Sequence, residues 1–113
     1  MGNISMLDME IIQETLEDGA DLLEEMMEMF DEAYAEEAES LQQAADQGDG
    51  GKLSEIAHKL KGECASLGFI ALSEKYKAIE IKGKNNDLSG IESLFLDLDD
   101  VYEQTISEVQ KLL

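Results

Sequence analysis

Apolar positions recur along the chain with helical spacing. Leu7, Ile11 and Leu16 open it, followed by Leu22, Leu23, Met26, Phe30, Ala33, Ala38, Leu41 and Ala45. A third run holds Leu53, Ile56, Leu60, Cys64 and Leu67, and a fourth, shorter one Leu72, Tyr76 and Ile79. The last extends from Leu88 through Ile91, Leu94, Leu98 and Val101 to Val109 and Leu112. Each run broadly follows i, i+3/i+4, i+7, the spacing of one buried helical face. No segment alternates with period two over a useful length, so no strand is expected. The pattern predicts long helices over about 19–46, 51–67, 70–83 and 87–112, with a short N-terminal helix as a cover. The expected fold is all-α, an antiparallel four-helix bundle with one or two additional short N-terminal helices.

Glycines mark most of the breaks. Gly19 follows Asp18, and Gly48, Gly50 and Gly51 read as a loop with Asp46 and Asp49. Gly68, Gly83 and Gly90 stand at or near other breaks. Gly62 is the exception, a glycine inside a strong helical pattern, where it costs about 1 kcal/mol relative to Ala. Met26, Met27 and Met29 read as core filler, with partner-binding surface as the alternative.

The chain has 113 residues, the size of one domain over 1–113. It has no proline, which suits uninterrupted helices. A hydrophobic share of 43% supplies a core and argues against disorder despite a net charge of −19. One Cys and one His are too few for an internal disulfide or a Cys/His zinc site, and a reducing cytoplasm fits. No apolar run reaches the ~18 residues of a membrane span, and the N-terminus lacks the pattern of a signal peptide. Met1-Gly2 suggests N-myristoylation, but Met6 stands where Ser or Thr is required and Ser5 falls one place early, so no lipid anchor is expected.

The charge is unevenly spread. Residues 1–51 hold 16 acids and no lysine, whereas residues 52–84 hold seven lysines against four acids. So negative a field disfavours nucleic acid and anionic membrane as partners. The middle third is where an anion is welcome, and the single histidine, His58, lies there.

Several chemistries are excluded. A calcium loop begun at Asp46 or Asn85 fits its central glycine but ends on Ala57 or Leu96 instead of the bidentate glutamate. Neither G-x-G-x-x-G nor G-x-x-x-x-G-K-[ST] occurs, so nothing cradles a nucleotide. No cofactor is expected. What remains is the segment Ala57-His58-Lys59-Leu60-Lys61-Gly62-Glu63-Cys64-Ala65-Ser66-Leu67-Gly68. Projected at about 100° per residue from Leu53, the apolar positions cluster on the core side. His58 falls at about 140°, Lys61 at about 80° and Gly62 at about 180°. The imidazole thus points to water in mid-helix, with a cation on its flank. The side-chain-free Gly62, one turn on, lets a phosphoryl group or another backbone approach.

The string A-H-K-L-K-G-x-x-x-x-L-G resembles the signature of histidine-containing phosphotransfer (HPt) domains of two-component phosphorelays, and the likeness covers about the whole chain. It implies that His58 takes a phosphoryl group from the aspartyl phosphate of one response-regulator receiver domain and passes it to another. It places the family's phosphoryl-neighbouring lysine on Lys61, its small-residue position on Gly62 and its helix-ending glycine on Gly68. It further implies a monomeric phosphocarrier with no ATP site of its own, served by a sensor histidine kinase, with Mg²⁺ on the partner receiver. Two alternatives stand beside it: the phospho-acceptor domain of a chemotaxis-type kinase, and an acidic helical adaptor without phosphate chemistry. If the chain reverses near Gly68–Phe69, residue 58 lies level with residue 80. Glu80 is then placed to accept a hydrogen bond from the second imidazole nitrogen and fix the tautomer. Lys84, one turn on, is placed to approach the phosphoryl group. Cys64 reads as an ordinary buried thiol.

Overall fold

The computed structural model describes residues 6–113, and every regular element within them is a helix. Gly2 and Ser5, weighed above as a lipidation pattern, lie outside the described residues. Five helices follow in order: α1 (Met9–Glu17), α2 (Ala20–Asp46), α3 (Gly50–Leu67), α4 (Ile70–Lys84) and α5 (Ile91–Gln110). The four long helices form the bundle, and α1 lies across one end of it.

Local chemistry sets the helix ends. The Asp8 carboxylate accepts hydrogen bonds from the Glu10 and Ile11 amides and starts α1. Asp49 does the same for α3 through the Lys52 amide. Helix α3 ends in a Schellman turn: the Phe69 amide reaches the Cys64 carbonyl at 2.8 Å and the Gly68 amide reaches that of Ala65 at 3.2 Å. This needs Gly68 at φ +85°, a conformation open to glycine and strained for other residues. The turn is pinned from outside, because the Asp8 amide donates to the Gly68 carbonyl at 2.7 Å. That bond fixes the start of α1 over the α3–α4 connection.

The core runs between the helices through Leu23, Phe30, Leu41, Leu60, Leu72 and Ile79, all at most 6% exposed. Phe30 of α2 meets Phe69 edge-on at 5.2 Å. The rings of Tyr34 on α2 and Tyr102 on α5 stack at 3.7 Å and join those two helices. Helices α3 and α4 make the most extensive pairing in the bundle.

The structure shifts three of the boundaries read from periodicity. Helix α5 starts at Ile91 instead of 87, because Asp87 closes a turn by accepting from the Ser89 amide and hydroxyl. Leu88 still packs against the core, but from that turn. Helix α3 starts at Gly50 instead of 51, so that Gly50, read as loop, belongs to its first turn, and α4 runs one residue past the expected 83 to Lys84, with Gly83 beside the break. Of the three methionines expected in the core, only Met27 is buried there, on a stripe with Leu23 and Phe30. Met29 is 70% exposed.

Candidate functional site

The site is built on facing turns of α3 and α4. On α3, Leu53, Ala57, Leu60 and Cys64 are buried, which fixes the rotation of the helix. His58 is thereby turned outward, with its side chain 67% exposed. On α4, Leu72, Tyr76, Ile79 and Glu80 are buried. The Schellman turn sets the register between the two helices, and it brings Glu80 level with His58.

His58 Nδ1 lies 2.8 Å from Glu80 Oε2. The carboxylate, 4% exposed, also accepts from Lys61 Nζ at 2.8 Å on Oε1 and pairs with Lys84 Nζ at 3.2 Å on Oε2. The Lys61 hydrogen bond is the main influence holding Glu80 down, at about 2; burial opposes it, and His58 and Lys84 assist. Glu80 is therefore ionised and only accepts. The hydrogen in the His58–Glu80 contact belongs to Nδ1, which leaves the Nε2 lone pair of the neutral ring facing out.

Each residue singled out from the sequence can now be placed. His58, Lys61, Glu80 and Lys84 meet in a single cluster. Both lysines rest on Glu80, Lys61 with a 30% exposed side chain and Lys84 with 64%. Gly62 stands at the surface, and a Cβ added there would meet nothing within 4 Å. Cys64 is fully buried, and burial pushes its thiol up to about 12.

Three features lay beyond the sequence reading. Gly50 and Gly83 let α3 and α4 touch main chain to main chain, one turn past Glu80. The Ser73 hydroxyl of α4 donates to the Lys61 carbonyl of α3 at 3.0 Å. An open apolar groove of about 710 Å³ runs between α2 and α3 beside Gly62, walled by Met26, Met29 and Phe30 on one side and Leu67 on the other. The signal for the first was available as two glycines, one at the start of α3 and one next to the end of α4. The signal for the groove was the i, i+3 spacing of Met26 and Met29, off the stripe of Met27.

A structure of similar shape is the crystal structure of histidine-containing phosphotransfer protein B (HptB) from Pseudomonas aeruginosa PAO1. It aligns over 96% of this chain and 95% of that one, with 20% identity and a TM-score of 0.85. That likeness establishes the fold. Comparison with curated proteins gives no significant match. No helix among the described residues is long and apolar enough to cross a membrane. The family model of the Hpt domain matches residues 25–110, which include the whole α3–α4 cluster, and the chain thus belongs to the Hpt family of histidine phosphotransfer domains that act in phosphorelays.

Proposed function

We propose that His58 is the phosphoryl-accepting residue and that the chain relays phosphate between receiver-domain aspartates. The observation that carries this is an exposed imidazole whose Nδ1 is held by a buried carboxylate, leaving Nε2 as an outward nucleophile. Attack on an aspartyl phosphate is in-line with a loose transition state, so positioning and charge neutralisation do most of the work. Lys61 and Lys84 supply two cations within reach of the ring. Gly62 leaves the approach open. Mg²⁺ belongs to the receiver in this reading, and loading from ATP requires a separate kinase. A net charge of −19 suits a monomer that avoids nucleic acid and anionic lipid, and a single buried thiol suits the cytoplasm.

The test is a radiolabel transfer. The chain is incubated with a phosphorylated receiver, and separately with a purified ATP-dependent histidine kinase domain, alongside His58→Gln. Acid-labile, base-stable label that the variant cannot take up is expected. Label from the receiver supports the relay, and label from the kinase domain alone would mark a kinase-acceptor domain. Label that survives His58→Gln removes His58 from the role.

A further inference from the structure

The charges on the two sides of the His58 ring do not match. On the α4 side, Glu80 stands against two cations, Lys61 and Lys84. On the α2 side, an open hollow of about 850 Å³ adjoins the ring, lined by Glu37, Asp49, Lys52, Glu55 and Lys59 among others. Glu63 follows Lys59 by one turn of α3 and pairs with it. That side thus holds four carboxylates, Glu37, Asp49, Glu55 and Glu63, against two lysines. A phosphoryl group arrives as an anion, so one flank attracts it and the other repels it.

Lys59 occupies the critical place on the repelling flank. At about 100° per residue it is turned from His58 toward α2, and Gly62, the open approach, falls between the two directions. Lys59 borders both the hollow beside His58 and the apolar groove beside Gly62, and among the described residues it alone does so. Its Nζ lies 3.6 Å from Glu37 Oε1 and 4.0 Å from Glu63 Oε2, so one cation covers two carboxylates on different helices. The lysine side chain is 64% exposed, which leaves these contacts little weight in stability. Their effect falls instead on what approaches the ring.

We propose that Lys59 masks Glu37 and Glu63 from the phosphoryl group of an incoming receiver, and so favours capture of the phosphorylated form of that partner. This rests on the phosphocarrier reading above. It separates Lys59 from Lys61 and Lys84, which serve the reacting ring itself. Lys59 acts before any bond to phosphorus changes, so its loss slows the encounter and leaves the transfer within the complex unaltered. Without it, the four carboxylates of that flank face Lys52 alone. Because the masking works through Glu37, neutralising Glu37 should undo much of the loss.

The test measures label transfer from a phosphorylated receiver domain against receiver concentration, at low and at raised salt. The parent, Lys59→Ala and the double variant Lys59→Ala/Glu37→Gln are compared. Lys59→Ala is expected to raise KM about fivefold at low salt with kcat unchanged, and the increase should shrink as salt is added. The double variant should recover most of the loss. Binding to a receiver loaded with beryllofluoride, which stands in for the aspartyl phosphate, should weaken several-fold more in Lys59→Ala than binding to the unloaded receiver. Circular dichroism and urea midpoints should match the parent, so that unfolding does not imitate the result. An unchanged KM, a loss in kcat instead, an equal loss for loaded and unloaded receiver, or no recovery with Glu37→Gln would each overturn the role of Lys59 while the parent still takes up label. A parent chain that takes no label from the phosphorylated receiver, or label that survives His58→Gln, overturns the phosphocarrier reading and this role with it.

Discussion

Gly50 and Gly83 face each other across the α3–α4 contact with no side chain between them. A Cβ on Gly83 would stand 2.6 Å from the Gly50 carbonyl oxygen, and one on Gly50 would stand 2.7 Å from that of Gly83. The spacing of the two helices at this point is set by main chain. Glu80 precedes Gly83 by one turn, and His58 follows Gly50 by about two, so the same contact sets the separation of the site's two halves.

Gly83→Ala should therefore destabilise the chain. The new methyl also meets the Ser54 amide at 2.7 Å, and backbone atoms cannot be turned aside as a flexible side chain can. The gain in helix propensity is about 1 kcal/mol, and the overpacking cost exceeds it, for a net loss of about 2 kcal/mol. Urea unfolding measures this, and a changed ¹⁵N spectrum of His58 would report the displaced Glu80.

The two lysines on Glu80 should prove unequal. Among the described residues Lys61 is the sole partner of Oε1, so Lys61→Ala leaves a buried carboxylate oxygen without a donor from them. The cost expected is about 1–3 kcal/mol. Lys84 shares Oε2 with His58 and is 64% exposed, so Lys84→Ala should cost less than about 1 kcal/mol. Urea titrations of the two variants side by side check the order. Both should slow phosphoryl transfer or shorten the phosphohistidine lifetime, because each removes a cation near the ring.

Acid should weaken the fold through Glu80 in a defined window. Its carboxyl lies at about 2 in the folded chain against an ordinary value of 4.5. A folded value below the unfolded one means that the contribution is complete above about pH 4.5 and is lost as pH falls toward about 2. The difference in stability between the parent and Glu80→Gln should shrink across that interval and stay constant above it. Denaturant midpoints recorded at successive pH values give the curve.

Gly62 should show stability and activity moving in opposite directions. A Cβ there is unobstructed, so Gly62→Ala should stabilise the chain by up to about 1 kcal/mol through helix propensity. Gly62→Gln should keep the circular dichroism unchanged while slowing transfer from a phosphorylated receiver at least about tenfold, by filling the approach beside His58. Equal transfer rates would remove Gly62 from the mechanism.

Much of the site was legible in the sequence because one turn sets its register. Once the chain reverses at Gly68–Phe69, residues 58 and 80 must lie opposite each other, and the 2.8 Å contact follows. The outward direction of His58 and Gly62 followed from helical periodicity alone. Periodicity could not show that Gly83, beside the break that ends α4, also admits the main chain of α3. It also carried α5 back to Leu88, since a leucine packed on the core from a turn has the same spacing as one in the helix. The methionines failed for a related reason. Met26 and Met29 lie to the side of the stripe that holds Leu23, Met27 and Phe30, and composition alone does not separate them.

Seven of the eight lysines belong to α3 and α4, while α2 carries acids and no lysine. The molecule is thus an electric dipole as well as a polyanion. A diffusing protein with an acidic active-site pocket is turned toward the α3–α4 side before any surface touches, and its other orientations are repelled. Capture rates should accordingly fall as added salt shortens the Debye length.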